Sequence, residues 1–211
     1  LPGSRLHDTA AGYYNRLIRI PDAVTHQHGP DGPHSHPGTV WATWLDPELC
    51  AAQLHQVGLH CGRLMPERRQ KFEEAKARLS AEINTLNSTI NSLKIAIGDE
   101  SVSVFSDAPH YQYLIERLGW KLHYFHWAGH ETLSEAERRE LRDTFDAHPD
   151  DTRRIFLMDS RRSAETEAFV RESGGVVVKI DLCESAGPES VPFPARLKSN
   201  LLRLLEEITK D

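Results

Sequence analysis

Residues 102–127 read VSVFSDAPHYQYLIERLGWKLHYFHW, and the way they divide decides the fold. Val102 to Phe105 have the alternation of a strand. Asp107 then stands where a helix cap belongs, DAPHYQYLIERLG forms the helix, and Gly119 is placed just past its end. KLHYFHW returns to a strand. One strand, one helix and a second strand with short links predict a parallel crossover unit.

The same unit recurs downstream. Ser134 and Glu137 form a capping box for a helix running to about His148. RIFLMD is a strand, SAETEAFVRESGG a helix closed by glycine, and VVVKID a strand. The last helix, PARLKSNLLRLLEEITK, carries Leu197, Leu201, Leu204, Leu205 and Ile208 on one face. Four alternations predict an α/β lobe with a four-stranded parallel sheet and helices on both faces. Runs such as VVVKI suit strands covered on both sides. Ligands of such sheets bind beyond the carboxyl ends of the strands, where Asp107, Asp159 and Asp181 fall. No GxGxxG or P-loop lies there, which argues against a nucleotide.

Upstream the pattern is helical. Asp46-Pro47 opens a helix with Leu49, Cys50, Leu54, Val57, Cys61 and Leu64 at helical spacing. Pro66 restarts a second, whose apolar stripe is Phe72, Ala75, Leu79, Ile83, Leu86, Ile90, Leu93 and Ile97. That predicts a helix of about 30 residues, roughly 45 Å long, either half of a coiled coil or a spine between two lobes. NTLNSTINS is poor in helix formers, so packing must hold it. Ahead of these, LIRIPDAV is a candidate strand broken by Pro21, and residues 25–40 read as loop. The expected division is 1–45, 46–98 and 99–211.

Composition excludes several classes. The net charge of −6, with no basic stripe, argues against nucleic acid as partner. No run approaches the roughly 18 apolar residues of a membrane span, so direct membrane insertion is not expected. Three cysteines, Cys50, Cys61 and Cys183, give neither a disulfide framework nor a CxxC zinc site. No GxSxG elbow or paired-carboxylate motif stands out, so no enzyme is expected.

The chemistry on offer is ligation. His26, His28, His34 and His36 fall within THQHGPDGPHSH, and neutral imidazole is the commonest ligand of borderline metals such as Zn²⁺. His110 opens the helix after the first sheet strand, and Asp159 and Asp181 end later strands. Either carboxylate also suits a turn or cap. His123, His126 and His130 read as structural, Trp41 and Trp44 as core anchors of the helix entry, and Cys183 as a buried thiol or a soft ligand.

A histidine loop, then WLDP at Trp44–Pro47, a long helix, and an α/β lobe carrying Tyr111-Gln112-Tyr113 in YQYLIERLGW together resemble the zinc/manganese substrate-binding proteins of metal-ion ABC transporters. The resemblance runs over nearly the whole chain. It implies a rigid spine helix joining two α/β lobes with the metal between them. It also implies that this sequence holds the spine, the second lobe and a remnant of the first. The expected metal ligands are His34, His36, His110, Asp181, His26, His28 and Asp159. Ala42 and Ala108 stand where the family usually has histidine.

The resemblance implies an extracytoplasmic or periplasmic protein, free or membrane-anchored, that captures zinc (alternatively manganese) and delivers it to a membrane ABC permease. Imidazole protonation would weaken capture below about pH 6. Two alternatives stand beside it. One is a relative that keeps the fold and has lost high-affinity binding, acting as a binding or adaptor protein, as Ala42 and Ala108 suggest. The other is a metal-dependent hydrolase of the amidohydrolase type, which needs eight βα units where this chain offers about four.

Overall fold

A computed structural model describes residues 7–20, 24–27, 33–36, 38–97, 102–127, 132–148, 153–185 and 191–210. Strands β1 (Val24–Gln27) and β2 (Pro33–His36) form an antiparallel pair. Helices α1 (Pro47–Leu64) and α2 (Arg69–Ile97) follow, linked by one turn of 3₁₀ helix at Pro66–Arg68. Then come β3 (Val102–Ser106), α3 (Gln112–Leu118), β4 (Leu122–Tyr124), α4 (Glu135–Asp146), β5 (Arg153–Asp159), α5 (Ala164–Glu172), β6 (Val176–Ile180) and α6 (Phe193–Thr209). The four later strands are parallel, in the order β4-β3-β5-β6. The expected four-stranded α/β lobe behind a long helix is present.

Alternation along each strand sorts the core into two layers. Val104, Ile155, Leu157, Val178 and Ile180 pack with Leu86, Ile90 and Leu93 of α2, with α3, and with Leu197, Leu201 and Leu204 of α6. Their neighbours Phe105, Phe156, Met158 and Val177 face the other way, onto Leu141 and Phe145 of α4 and Val170 of α5. Burying both faces explains the near-continuous apolar runs.

The long helix has 29 residues, about 43 Å. Of its apolar stripe, Ile83, Leu86, Ile90 and Leu93 are fully buried, and Phe72, Ala75 and Leu79 are half-buried. Gly58 of α1 admits the Lys76 stem so closely that an added Cβ would lie 2.9 Å from Lys76 Cδ. The helix therefore belongs to the lobe along its second half and to α1 along its first. Asp46 caps α1 by accepting from the Glu48 amide at 2.8 Å, as expected. Arg16 donates to its other oxygen at 2.9 Å.

Three expectations need correction. Residues 25–40 are not simply loop: β1 and β2 pair with His26 opposite His34 and Val24 opposite His36. The period-2 spacing of His-x-His and Pro-His-Ser-His is strand spacing, outweighed in the reading by the surrounding Gly and Pro. Asp107 does not cap α3; the chain first makes a 3₁₀ turn at Pro109–Tyr111, and neither turn nor helix has a side-chain cap. Trp41 is not a core residue, being 38% exposed. Gly119 does close α3, with φ +80°, and the Ser134/Glu137 capping box is formed. Among the described residues no helix is long and apolar enough to cross a membrane.

Candidate functional site at the carboxyl edge of the sheet

The chain reverses direction across the sheet between β3 and β5, so a crevice opens beyond their carboxyl ends. Asp107 follows β3, Asp159 ends β5 and Asp181 follows β6. Each carboxylate has an arginine partner.

Asp107 is buried (1% exposed) and so is Arg162 (6%). Arg162 Nε donates to Asp107 Oδ2 at 2.8 Å, and Arg162 Nη2 donates to the Trp127 carbonyl at 2.9 Å. Burial raises the Asp107 pKa above the ordinary carboxylate range, against the opposing pull of Arg162. Asp107 thus ties β3 to the β5 exit.

Asp159 is held by Arg161, whose Nη2 lies 2.6 Å from Oδ2 and whose Nε lies 3.0 Å from Oδ1. The same guanidinium reaches Glu184 at 2.9 Å, bridging the exits of β5 and β6. Asp181 is held at both oxygens by Arg196 of α6, and its Oδ1 also accepts from the Cys183 amide at 2.8 Å. The Arg196 hydrogen bonds hold the Asp181 carboxyl below its usual range. Cys183 sits with φ +57°, and burial and then the Asp181 charge push its thiol up to about 11.

The aromatic rim comes from the turn before α1. Trp44 Nε1 donates to the Leu182 carbonyl at 2.8 Å, tying that turn to the β6 exit. Trp41 packs on Trp44 at 5.2 Å and on the His110 ring at 4.8 Å. Ala42 is fully buried in the main core, and Ala108 is buried where β3 turns into α3.

The sequence-predicted residues are thus distributed over separate elements. His110 lies by Trp41, Asp181 by Arg196, Asp159 by Arg161, and His26, His34 and His36 on the hairpin. His28 and His130 lie outside the described residues. Among the described residues no three His, Cys, Asp or Glu side chains converge as a metal cluster would require. The arginines were missed in the sequence. DSRR at 159–162 was the available signal, a strand-end carboxylate followed within a turn by two guanidinium groups.

Comparison with known proteins places this arrangement. No curated protein matches the sequence. Among solved structures the chain is similar to FpvC from Pseudomonas aeruginosa in complex with Mn²⁺, at 15% identity and TM-score 0.67, over 94% of this chain and 69% of that one. It is similar to ZnuA, at 18% identity and TM-score 0.64, over 96% and 69%. It is also similar to the laminin-binding protein Lbp of Streptococcus pyogenes, at 16% and 0.63, over 81% and 65%. At these identities the likeness establishes the fold. The family model for the periplasmic zinc-uptake complex component A, ZnuA, matches residues 7–207, nearly the whole chain. The chain therefore belongs to the ZnuA family of metal-binding substrate-binding proteins.

Proposed function

We propose that this chain is the extracytoplasmic substrate-binding component of a zinc ABC uptake system, capturing the ion and delivering it to a membrane permease. The observation that carries the reading is the family match along residues 7–207 on a chain that retains the long helix and the parallel lobe. In this reading His26, His28, His34, His36 and His110 supply imidazoles at the crevice mouth. Asp181 joins them once Arg196 lets go, and Asp159 stands as a further carboxylate. The division at 1–45, 46–98 and 99–211 belongs to the same reading. The protein's work is then binding and transfer of zinc, with manganese as the alternative cargo.

One observation favours a second reading. Asp181 and Asp159 each already have a guanidinium at both oxygens, and releasing it costs the charge-assisted hydrogen bonds it makes. A relative that kept the fold and lost tight binding would look like this.

Calorimetric titration of metal-stripped protein with Zn²⁺ separates the two. Capture predicts one equivalent bound at micromolar Kd or tighter, lost when His26, His28, His34 and His36 are all replaced by Ala. Equal, weak binding by native and variant chains would establish the second reading.

A further inference from the structure

A second pair of imidazoles lies away from the crevice. His123 is on the edge strand β4 and His148 follows α4, near the start of β5. That is the opposite end of β5 from Asp159. Their Nε2 atoms face one another at 3.3 Å, with the rings nearly perpendicular and 4.5 Å apart. Both rings rest on Phe105, at 5.5 and 4.9 Å.

The hydrogen bonding of His148 fixes its chemistry. Its Nδ1 lies 2.7 Å from the Thr144 carbonyl oxygen. A carbonyl only accepts, so Nδ1 carries the proton and the neutral ring presents a lone pair at Nε2. A backbone carbonyl behind a ligating histidine is the usual outer support of a metal site. His123 then donates its Nε2 proton to His148 in the metal-free protein. Moving that proton to Nδ1 of the same ring frees a second lone pair with no net proton release.

The spacing is that of a chelate. Two nitrogens at 2.0–2.1 Å from one tetrahedral ion stand roughly 3.3–3.4 Å apart. The ring centres of such a pair sit roughly 5 Å apart, so the exposed His123 ring needs only a small rotation. Beside His148 a shallow groove of about 550 Å³ runs along α4, lined in part by Arg139, Glu140 and Asp143. No third His, Cys, Asp or Glu joins the pair among the described residues, so solvent would complete the ion's coordination, while Arg139, Lys121 and Arg154 are the cations nearby.

We propose that His123 and His148 form a second, solvent-facing site for a divalent transition-metal ion, zinc foremost, independent of the crevice. Two protein ligands make it weaker and faster to exchange than a closed site.

Imidazole-nitrogen NMR of the whole chain during Zn²⁺ titration tests this residue by residue, so hairpin binding does not mask the result. His123 and His148 should shift together with one midpoint. In His123→Gln the His148 signal, and in His148→Gln the His123 signal, should need at least tenfold more zinc. His126→Gln, an exposed change just beyond the same strand, should leave the midpoint where it was. The proposal is overturned if the two rings titrate independently. It is equally overturned if the partner's midpoint is unchanged in the single variants, or if neither ring responds at about 1 mM free zinc. Far-UV circular dichroism matching the native chain qualifies each variant.

Discussion

Arg196 grips both carboxylate oxygens of Asp181, its Nη2 2.8 Å from Oδ1 and its Nε 2.8 Å from Oδ2. A metal at this carboxylate competes with the guanidinium for its charge and for most of its lone pairs. If Asp181 serves the ion, Arg196 is its competitor. Arg196→Ala should then tighten Zn²⁺ binding about tenfold, roughly 1.4 kcal/mol, while adding Asp181→Ala should cancel the gain. Calorimetry on the single and double variants measures this, and an unchanged Kd in Arg196→Ala would remove Asp181 from the ligand set.

The Asp107–Arg162 pair is buried on both sides, so removing one member strands the other. Arg162→Met should cost about 3–5 kcal/mol, because the Asp107 charge is left without its partner in a desolvated site. Urea unfolding gives the figure. A loss under about 1 kcal/mol would mean that Asp107 is neutral in the fold or solvated.

Glu167 on α5 ties that helix to β6 by pairing with Lys179 at 2.8 Å, and it pairs with Arg171 at 3.1 Å. Hydrogen bonding to Lys179 and then Arg171 lowers its pKa. A carboxyl whose folded pKa is depressed stabilises the fold above its unfolded value, about 4.3, and loses that contribution as pH falls through the folded value. The stability difference between native protein and Glu167→Gln should be constant near neutrality and shrink below about pH 4.3. Denaturation midpoints taken from pH 7 to pH 3 would show it; a difference growing toward acid contradicts the pairing.

Gly175 lies where α5 meets β6. A Cβ there would come within 2.8 Å of Val170 Cγ1, 3.1 Å of the Val170 carbonyl and 3.2 Å of Phe145 Cε2. Gly175→Ala should destabilise by about 1–3 kcal/mol through overpacking. Thermal unfolding tests it, and a neutral result would show that the junction yields.

The lobe was legible because its signals are local. Alternation in VSVF, the apolar run VVVKI, the Ser134/Glu137 box and Gly119 each declare their element within a few residues, and all are realised. The order β4-β3-β5-β6 is a long-range property that no single stretch encodes. The same holds at the crevice. Asp159 and Asp181 were read as strand-end carboxylates, which they are, but what occupies them is arginine, and Arg196 comes from a helix fifteen residues beyond Asp181. Asp107 was read as a cap because caps are local, whereas its partner Arg162 is fifty-five residues away. His123 was read as structural, its facing ring being twenty-five residues distant. The hairpin was hidden by Gly and Pro, which mark a turn without excluding short strands either side of it.

The hairpin's root has a consequence for kinetics. Below it, Val40 donates to the Ile18 carbonyl at 2.9 Å, Ile20 donates to the Gly38 carbonyl at 3.1 Å, and Arg19 and Thr39 bridge between them. The Ile18 amide is in turn held by the Tyr113 hydroxyl of α3 at 3.0 Å. The chain on either side of the hairpin is therefore paired with itself and fixed to α3 of the lobe. Under the proposed function, imidazoles carried on a segment anchored in this way raise the local concentration of metal beside the lobe, while loading from solution stays second order in the ion.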